Sequence, residues 1–321
     1  FDDLEDDDNT ATEGLILKLK NWVYGPFFKA FNRWKMKIIW IGNLLSDQSL
    51  LNAFCDPENE EWESIRLGCL LSNGEPLWPD LWPISAIRSD YIEYRKQGLT
   101  GRWFAEMMNL PIPAKGGLIN ADEIRYYPRP NPGDSHIGFI TIDPAISDKE
   151  WANDTAIVVH LWIDGRWMVV DFQTSKFDPL ETIDIALELM NNWGLKVIGV
   201  ESVAYQAALK YFIEYILLSR YITNVTVFPT HKTRASKTSK LAAWASLIKN
   251  GTYYLPEDDF EITEQLLRYD PTKKNNKDDL IDACSQGVEM IEQHLGDIMQ
   301  SYQLPHIRNM QIETSSQMCP I

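Results

Sequence analysis

Three strand-length runs rich in β-branched and aromatic residues follow one another with no helical pattern between them: HIGFITIDPA (136–145), NDTAIVVHLWI (153–163) and RWMVVDFQTSK (166–176). Asp164-Gly165 joins the last two, a dipeptide that tolerates the positive φ of a tight hairpin. An amphipathic helix follows, DPLETIDIALELMNNWG (178–194), with Pro early and Gly at its end. Then come a buried strand, KVIGVES (196–202), a helix over 204–218, and a strand, NVTVFP (224–229). Helices are predicted near 239–250, 260–269 and 279–294. The order βββαβαβα, with extra helices, predicts an α/β domain with a mixed central sheet flanked by helices.

The first 130 residues read as a separate α/β piece. KIIWIGN (37–43) is an apolar run of buried-strand type and WESIRLGCLL (62–71) a second strand candidate. PISAIRSDYIEYRKQG (83–98) and TGRWFAEMMN (100–109) read as helices. YYPRPNPGDS (126–135), with three prolines and a glycine, is the predicted boundary. The expected division is 1–130, 131–295, and a polar tail over 296–321 that is flexible or a docking segment.

The chain has 30 basic and 46 acidic residues, a net charge of −16, which argues against a general polyanion binder. Charge is unevenly spread: FDDLEDDD at the start holds six acids, whereas Pro229 to Pro256 has five bases and no acid. Contact with nucleic acid should therefore be a confined patch. Cys55, Cys69, Cys284 and Cys319 lack metal-ligand spacing and read as reduced thiols of an intracellular protein. No apolar run is long enough to span a bilayer, so no membrane contact is expected.

NNKDDLIDACSQG (275–287) puts Asp278, Asp279 and Asp282 at the start of an otherwise apolar helix. A helix N-terminus favours acids for about 0.3–2 kcal/mol, enough to explain Asp278 as a cap. Asp282 falls in the second turn, near the other two, where carboxylates repel unless a cation lies between them. Asp143 ends the strand FITID and Glu201 ends VIGVE, at the carboxyl ends where α/β sheets present their sites. Carboxylates from separate elements, with no His or Cys beside them, are hard ligands suited to Mg²⁺ or Mn²⁺. Two such ions about 3.5–4 Å apart activate a water and stabilise the leaving oxygen of a phosphodiester. Four acids exceed what a glycosidase pair requires.

FITIDPA, VIGVES and KDDLIDA together resemble the motif series of the RNase H-like nucleases, most closely the C-terminal nuclease domain of phage terminase large subunits. The resemblance runs from about 136 to 294. It implies an RNase H-like sheet and two Mg²⁺ or Mn²⁺ ions held by Asp143, Glu201 and Asp279, with Asp282 an equal contender by the related resolvase pattern. Asp154 is a candidate auxiliary acid beside Asp143. The first 130 residues resemble the second half of a packaging ATPase, a partial P-loop α/β segment. Asp2 and Asp3 would close its Walker B strand, and Asn43 its coupling strand. No G-x-x-x-x-G-K-[ST] motif occurs, so the chain alone is not expected to hydrolyse ATP; the upstream part would lie on another chain or have been removed.

In HKTRASKTSKLAAWASLIKNG (231–251), Lys232, Arg234, Lys237 and Lys240 are candidate phosphate contacts, with His231 among them. The family likeness implies a metal-dependent endonuclease acting on double-stranded DNA during genome packaging. It implies portal protein and terminase small subunit as partners, and the host cytoplasm, at the procapsid portal, as location. Two rivals stand: an RNase H-like resolvase or transposase, and a non-catalytic docking module of a packaging motor in which the acids only cap helices.

Overall fold

The hairpin at Asp164-Gly165 forms as predicted, both residues having positive φ (49° and 82°). It sets the register for the centre of the molecule. In the computed structural model three helices, α1 (Asp7–Thr10), α2 (Glu13–Trp22) and α3 (Leu50–Phe54), precede the pair α4 (Ile84–Lys96) and α5 (Thr100–Met108). Then follow β1 (Tyr126–Tyr127), β2 (Ile137–Asp143), β3 (Thr155–Ile163), β4 (Arg166–Ser175), α6 (Pro179–Trp193), β5 (Val197–Glu201) and α7 (Tyr205–Ser219). The remaining described elements are β6 (Thr226–Thr230), α8 (Lys237–Lys249), β7 (Tyr253–Pro256), α9 (Glu261–Arg268) and α10 (Asp279–Ser301). The structure describes residues 1–302 except 32–34, 36, 57–58, 72, 114–116, 134–135, 145–153, 202–204, 231–235 and 274–275, and without the side chains of 205–208.

The seven strands form one sheet in the order β1-β7-β4-β3-β2-β5-β6. β3 runs antiparallel to both β2 and β4, while β5 and β6 are parallel to β2. This is the mixed RNase H-like sheet that the sequence predicts. Its inner strands are buried on both faces, which explains their unbroken apolar runs. One face packs under α6 and α7 through Ile140, Ile142, Ile198 and Val200. The other packs under α8, α9 and α10 through Phe139, Val158, Leu280 and Ile281. α6 begins and ends as its sequence dictates: Asp178 accepts from the N–H groups of Leu180 and Glu181, and Gly194 stops the helix at φ 63°.

Several expectations fare differently. Ile39 and Ile41, read as a buried strand, are 73% and 61% exposed. Among the described residues their strand pairing is with Phe1–Asp3, through a parallel bridge between Asp2 and Ile41. No further strand among the described residues covers that ribbon, and WESIRLGCLL likewise contributes only the bridge from Leu70 to Pro76. Tyr126–Tyr127, read as part of a boundary, instead pairs with β7. Around it the packing is continuous: Ile87, Tyr91, Trp103 and Phe104 of α4 and α5 share one core with Phe260 and Leu266. Arg88 and Arg129 fasten the same joint through Asp258, at 3.4 and 3.1 Å. Among the described residues, Val23, Leu50 and Phe54 form a small core apart from those on the two faces of the sheet. α10 continues to Ser301, past the predicted start of the tail; residues 303–321 lie outside the described residues. No described helix is long and apolar enough to cross a membrane.

Candidate active site

β2 and β5 are parallel neighbours in register, Ile142 opposite Val200, so their final residues, Asp143 and Glu201, reach the same edge of the sheet side by side. α10 crosses the sheet with its first turn over that edge, bringing Asp279 and Asp282 to it. The helix sits close because glycines make room: a Cβ on Gly199 would stand 2.5 Å from Met290 Sδ, and one on Gly287 2.7 Å from His160 Cε1. Asp154, at the entry to β3, donates its backbone N–H to Asp279 Oδ2 at 3.2 Å. Its candidate role as an auxiliary acid therefore falls beside Asp279.

The electrostatics register the crowding. Burial first, then the charges of Asp282 and Glu201, push the Asp143 carboxyl up to about 8. Asp282 is pushed up to about 6, chiefly by burial and against the pull of Lys237; Asp279 is raised too, again chiefly by burial. Acids from β2, β5 and α10 thus contend for one small volume, and the cheapest relief is a cation.

A cationic side chain is already there. Lys237, the first residue of α8, ion-pairs with Asp278 at 2.8 Å and also with Asp282. Burial works against its charge, but Asp282 and Asp278 more than offset that and hold the ammonium well above its ordinary range. Asp278, expected to cap, occupies the N-cap position of α10 without a side-chain cap hydrogen bond; its carboxylate faces Lys237. Lys240 is 2.5 Å from Glu289 of α10 and nearly buried. The two lysines expected to meet phosphate therefore turn toward acids of α10, and Lys232 and Arg234, with His231, lie outside the described residues. The signal for Lys237 was its place at a helix start in an acid-free segment, which does not distinguish a phosphate partner from a carboxylate one.

Among the described residues, no three His, Cys, Asp or Glu side chains stand together closely enough to ligate one ion. Within those residues Asp278 and Asp282 are instead paired with Lys237. The donor set still fits Mg²⁺ or Mn²⁺, because its members are hard carboxylate ligands and because burial, then the charges of Asp282 and Glu201, raises Asp143 in a way a cation would relieve.

Residues 140–291 match the family model described as Terminase RNaseH-like domain. This segment is a terminase RNase H-like domain. No match was found among curated proteins. Solved terminase structures are similar to the chain at low identity. The large terminase of the thermophilic bacteriophage D6E in complex with ADP is 13% identical over 66% of this chain and 52% of that one, with TM-score 0.40. The large terminase nuclease of the thermophilic phage G20c with bound magnesium is 17% identical over 55% and 97%, with TM-score 0.39. The human cytomegalovirus terminase nuclease domain, Mn soaked and inhibitor bound, is 13% identical over 55% and 96%, with TM-score 0.40. The chain spans about half the length of the D6E terminase.

Proposed function

We propose that the chain is a metal-dependent endonuclease of the terminase large-subunit type, cutting double-stranded DNA during genome packaging. One observation carries the reading. Asp143, Glu201, Asp279 and Asp282 come from three separate elements to one sheet edge, and the first is driven to about 8 by burial and the charges of the others. In this reading Asp143, Glu201 and Asp279 or Asp282 would hold two Mg²⁺ or Mn²⁺ ions. Such ions, when bound, supply an activated water and charge stabilisation at the leaving oxygen. Burial raises Asp143 and Asp282, so a cation at the site would favour their ionised forms, and the apolar neighbours Ile142, Val200 and Ile281 hold the strand ends and the helix start rigid. Were Asp282 to ligate a cation, its partner Lys237 would be available to a phosphate, together with Lys232 and Arg234.

The test is plasmid cleavage in Mn²⁺ by the parent and by Asp143→Asn. Loss of cleavage in the variant is expected, and full activity would sink the assignment. A linear duplex cut in preference to a four-way junction separates packaging from a resolvase role. The pairing of Lys237 with two of the acids favours a second reading, a non-catalytic docking module. That reading predicts no effect of Mn²⁺ on the melting temperature, whereas a loaded site at 100 times its Kd gains about 2.7 kcal/mol by linkage.

We further infer that residues 1–130 are the end of a packaging ATPase domain. The bridge from Asp2 to Ile41 supports it, as does the bond from the Asp3 N–H to the Ile41 carbonyl (3.0 Å), which sets Asp2 and Asp3 beside the strand that leads to Asn43. Portal protein and terminase small subunit are the partners this reading implies, and the host cytoplasm its setting.

A further inference from the structure

β2 and β3 each carry a buried polar residue inside an apolar run, Thr141 and His160. With Thr141 opposite Val158 and Phe139 opposite His160, the two are diagonal neighbours on one face. The Thr141 hydroxyl donates to the Ala283 carbonyl of α10 at 2.8 Å. Having spent its one proton, it accepts from His160 Nε2, also at 2.8 Å. The imidazole is therefore the Nε2–H tautomer, and its Nδ1 accepts from the Tyr253 hydroxyl at 2.5 Å. Burial holds this ring's pKa down at about 3, so it stays neutral. Only one direction of donation, from Tyr253 through His160 and Thr141 to Ala283, makes all three bonds at once.

The relay ends between the acids. Thr141 lies two residues before Asp143, and Ala283 directly follows Asp282. One buried hydroxyl thus ties the strand that bears one carboxylate to the helix that bears two others. Those charges repel, which works to lift the first turn of α10 off the sheet. Gly287, one helical turn beyond Ala283, leaves the space that the imidazole and phenol occupy.

We propose that Thr141, braced by His160 and Tyr253, is a positioning residue that fixes the first turn of α10 against β2 and so sets the affinity of the carboxylate site for divalent cations. The inference rests on the nuclease reading above. Thr141→Val keeps the shape and removes the hydroxyl, and Thr141→Ser restores the hydroxyl. In calorimetric titration of Mn²⁺ into the full chain, Thr141→Val should weaken binding about tenfold, the scale seen when groups behind metal ligands are removed. In plasmid cleavage its kcat should fall while KM for DNA stays at the parent value, and Thr141→Ser should recover both kcat and Mn²⁺ affinity. Tyr253→Phe deletes only the brace and should weaken Mn²⁺ in the same direction, giving the answer should Thr141→Val fail to fold. A folded Thr141→Val chain that binds Mn²⁺ like the parent overturns the inference, as does a Thr141→Ser chain as impaired as Thr141→Val. Parent affinity in Tyr253→Phe overturns the part given to the brace. A parent chain that takes up no Mn²⁺ overturns the nuclease reading and the inference with it.

Discussion

Lys237 serves two carboxylates at once, and its removal should show what they cost when left alone. In the metal-free chain Lys237→Met leaves Asp278, almost fully buried, without its partner. The Lys237 side chain is 43% exposed, so solvent screens the pair, and the expected loss is about 1–2 kcal/mol, below the 3–5 of a fully buried pair. Thermal scans should then show Mn²⁺ raising the melting temperature of the variant more than that of the parent. The acids also make the stability depend on pH in a defined sense. Asp143 titrates at about 8 and Asp282 at about 6 when folded, against about 3.9 for a free aspartate. Their contribution is full below the unfolded value and is lost as pH rises through 6 and 8. His160 runs the other way: it titrates at about 3 when folded, against about 6.5 when free, so its contribution is full above that value and lost as pH falls. Between about pH 6.5 and 8.5 the His160 effect is already complete, and Asp259, pushed up to about 7 chiefly by burial, adds to the loss from Asp143 and Asp282. The melting temperature of the metal-free chain should fall across that range, and the increment from Mn²⁺ should grow, because the cation selects the ionised acids. A flat profile would remove the electrostatic case for the site.

At the scale of elements, close approach of α10 to the sheet is the arrangement most exposed to mutation. Gly287→Ala forces a methyl against His160 and Tyr253 and should cost about 1–3 kcal/mol by overpacking. Gly14→Ala, in the first turn of α2 with nothing but Thr12 within 4 Å, should be neutral or gain up to about 1 kcal/mol. Denaturant titrations of the two compare them directly. The elements themselves were largely legible. β2 to β5 announce themselves by runs of Val, Ile and Phe bounded by turns, and α6 by Asp178, Pro179 and Gly194. β7 was missed because YYLP is four residues long and ends in proline, too short for periodicity to register. KIIWIGN misled because an apolar run states a preference for burial, not whether a neighbour exists to provide it. The acids Asp143 and Glu201 were legible as isolated charges ending apolar strands. That Lys237 would sit with Asp278 and Asp282 was not, since α8 and α10 meet only once the whole sheet is folded.

Across the whole molecule, the core ignores the prolines at 128–132. A chain starting at residue 131 would lose β1 and strip Ile87, Tyr91, Trp103 and Phe104 from Phe260 and Leu266. It should precipitate or melt well below the parent, whereas one starting at residue 80 should melt close to it. Equal melting of the two would show that α4 and α5 are dispensable to the domain. The ribbon of Phe1–Asp3 and Ile39–Ile41 has the opposite character. Trp40 packs against Phe54, but Ile39 and Ile41 point to water, and a handful of bonds, among them those at Asp3 and Ile41, hold the ribbon together. Its opening exposes little that is not already wet, so it is released at a small fraction of the global free energy. In deuterium, the amides of Asp3 and Ile41 should exchange long before those of Ile140 and Val158, making this ribbon kinetically separate from the sheet it is covalently joined to.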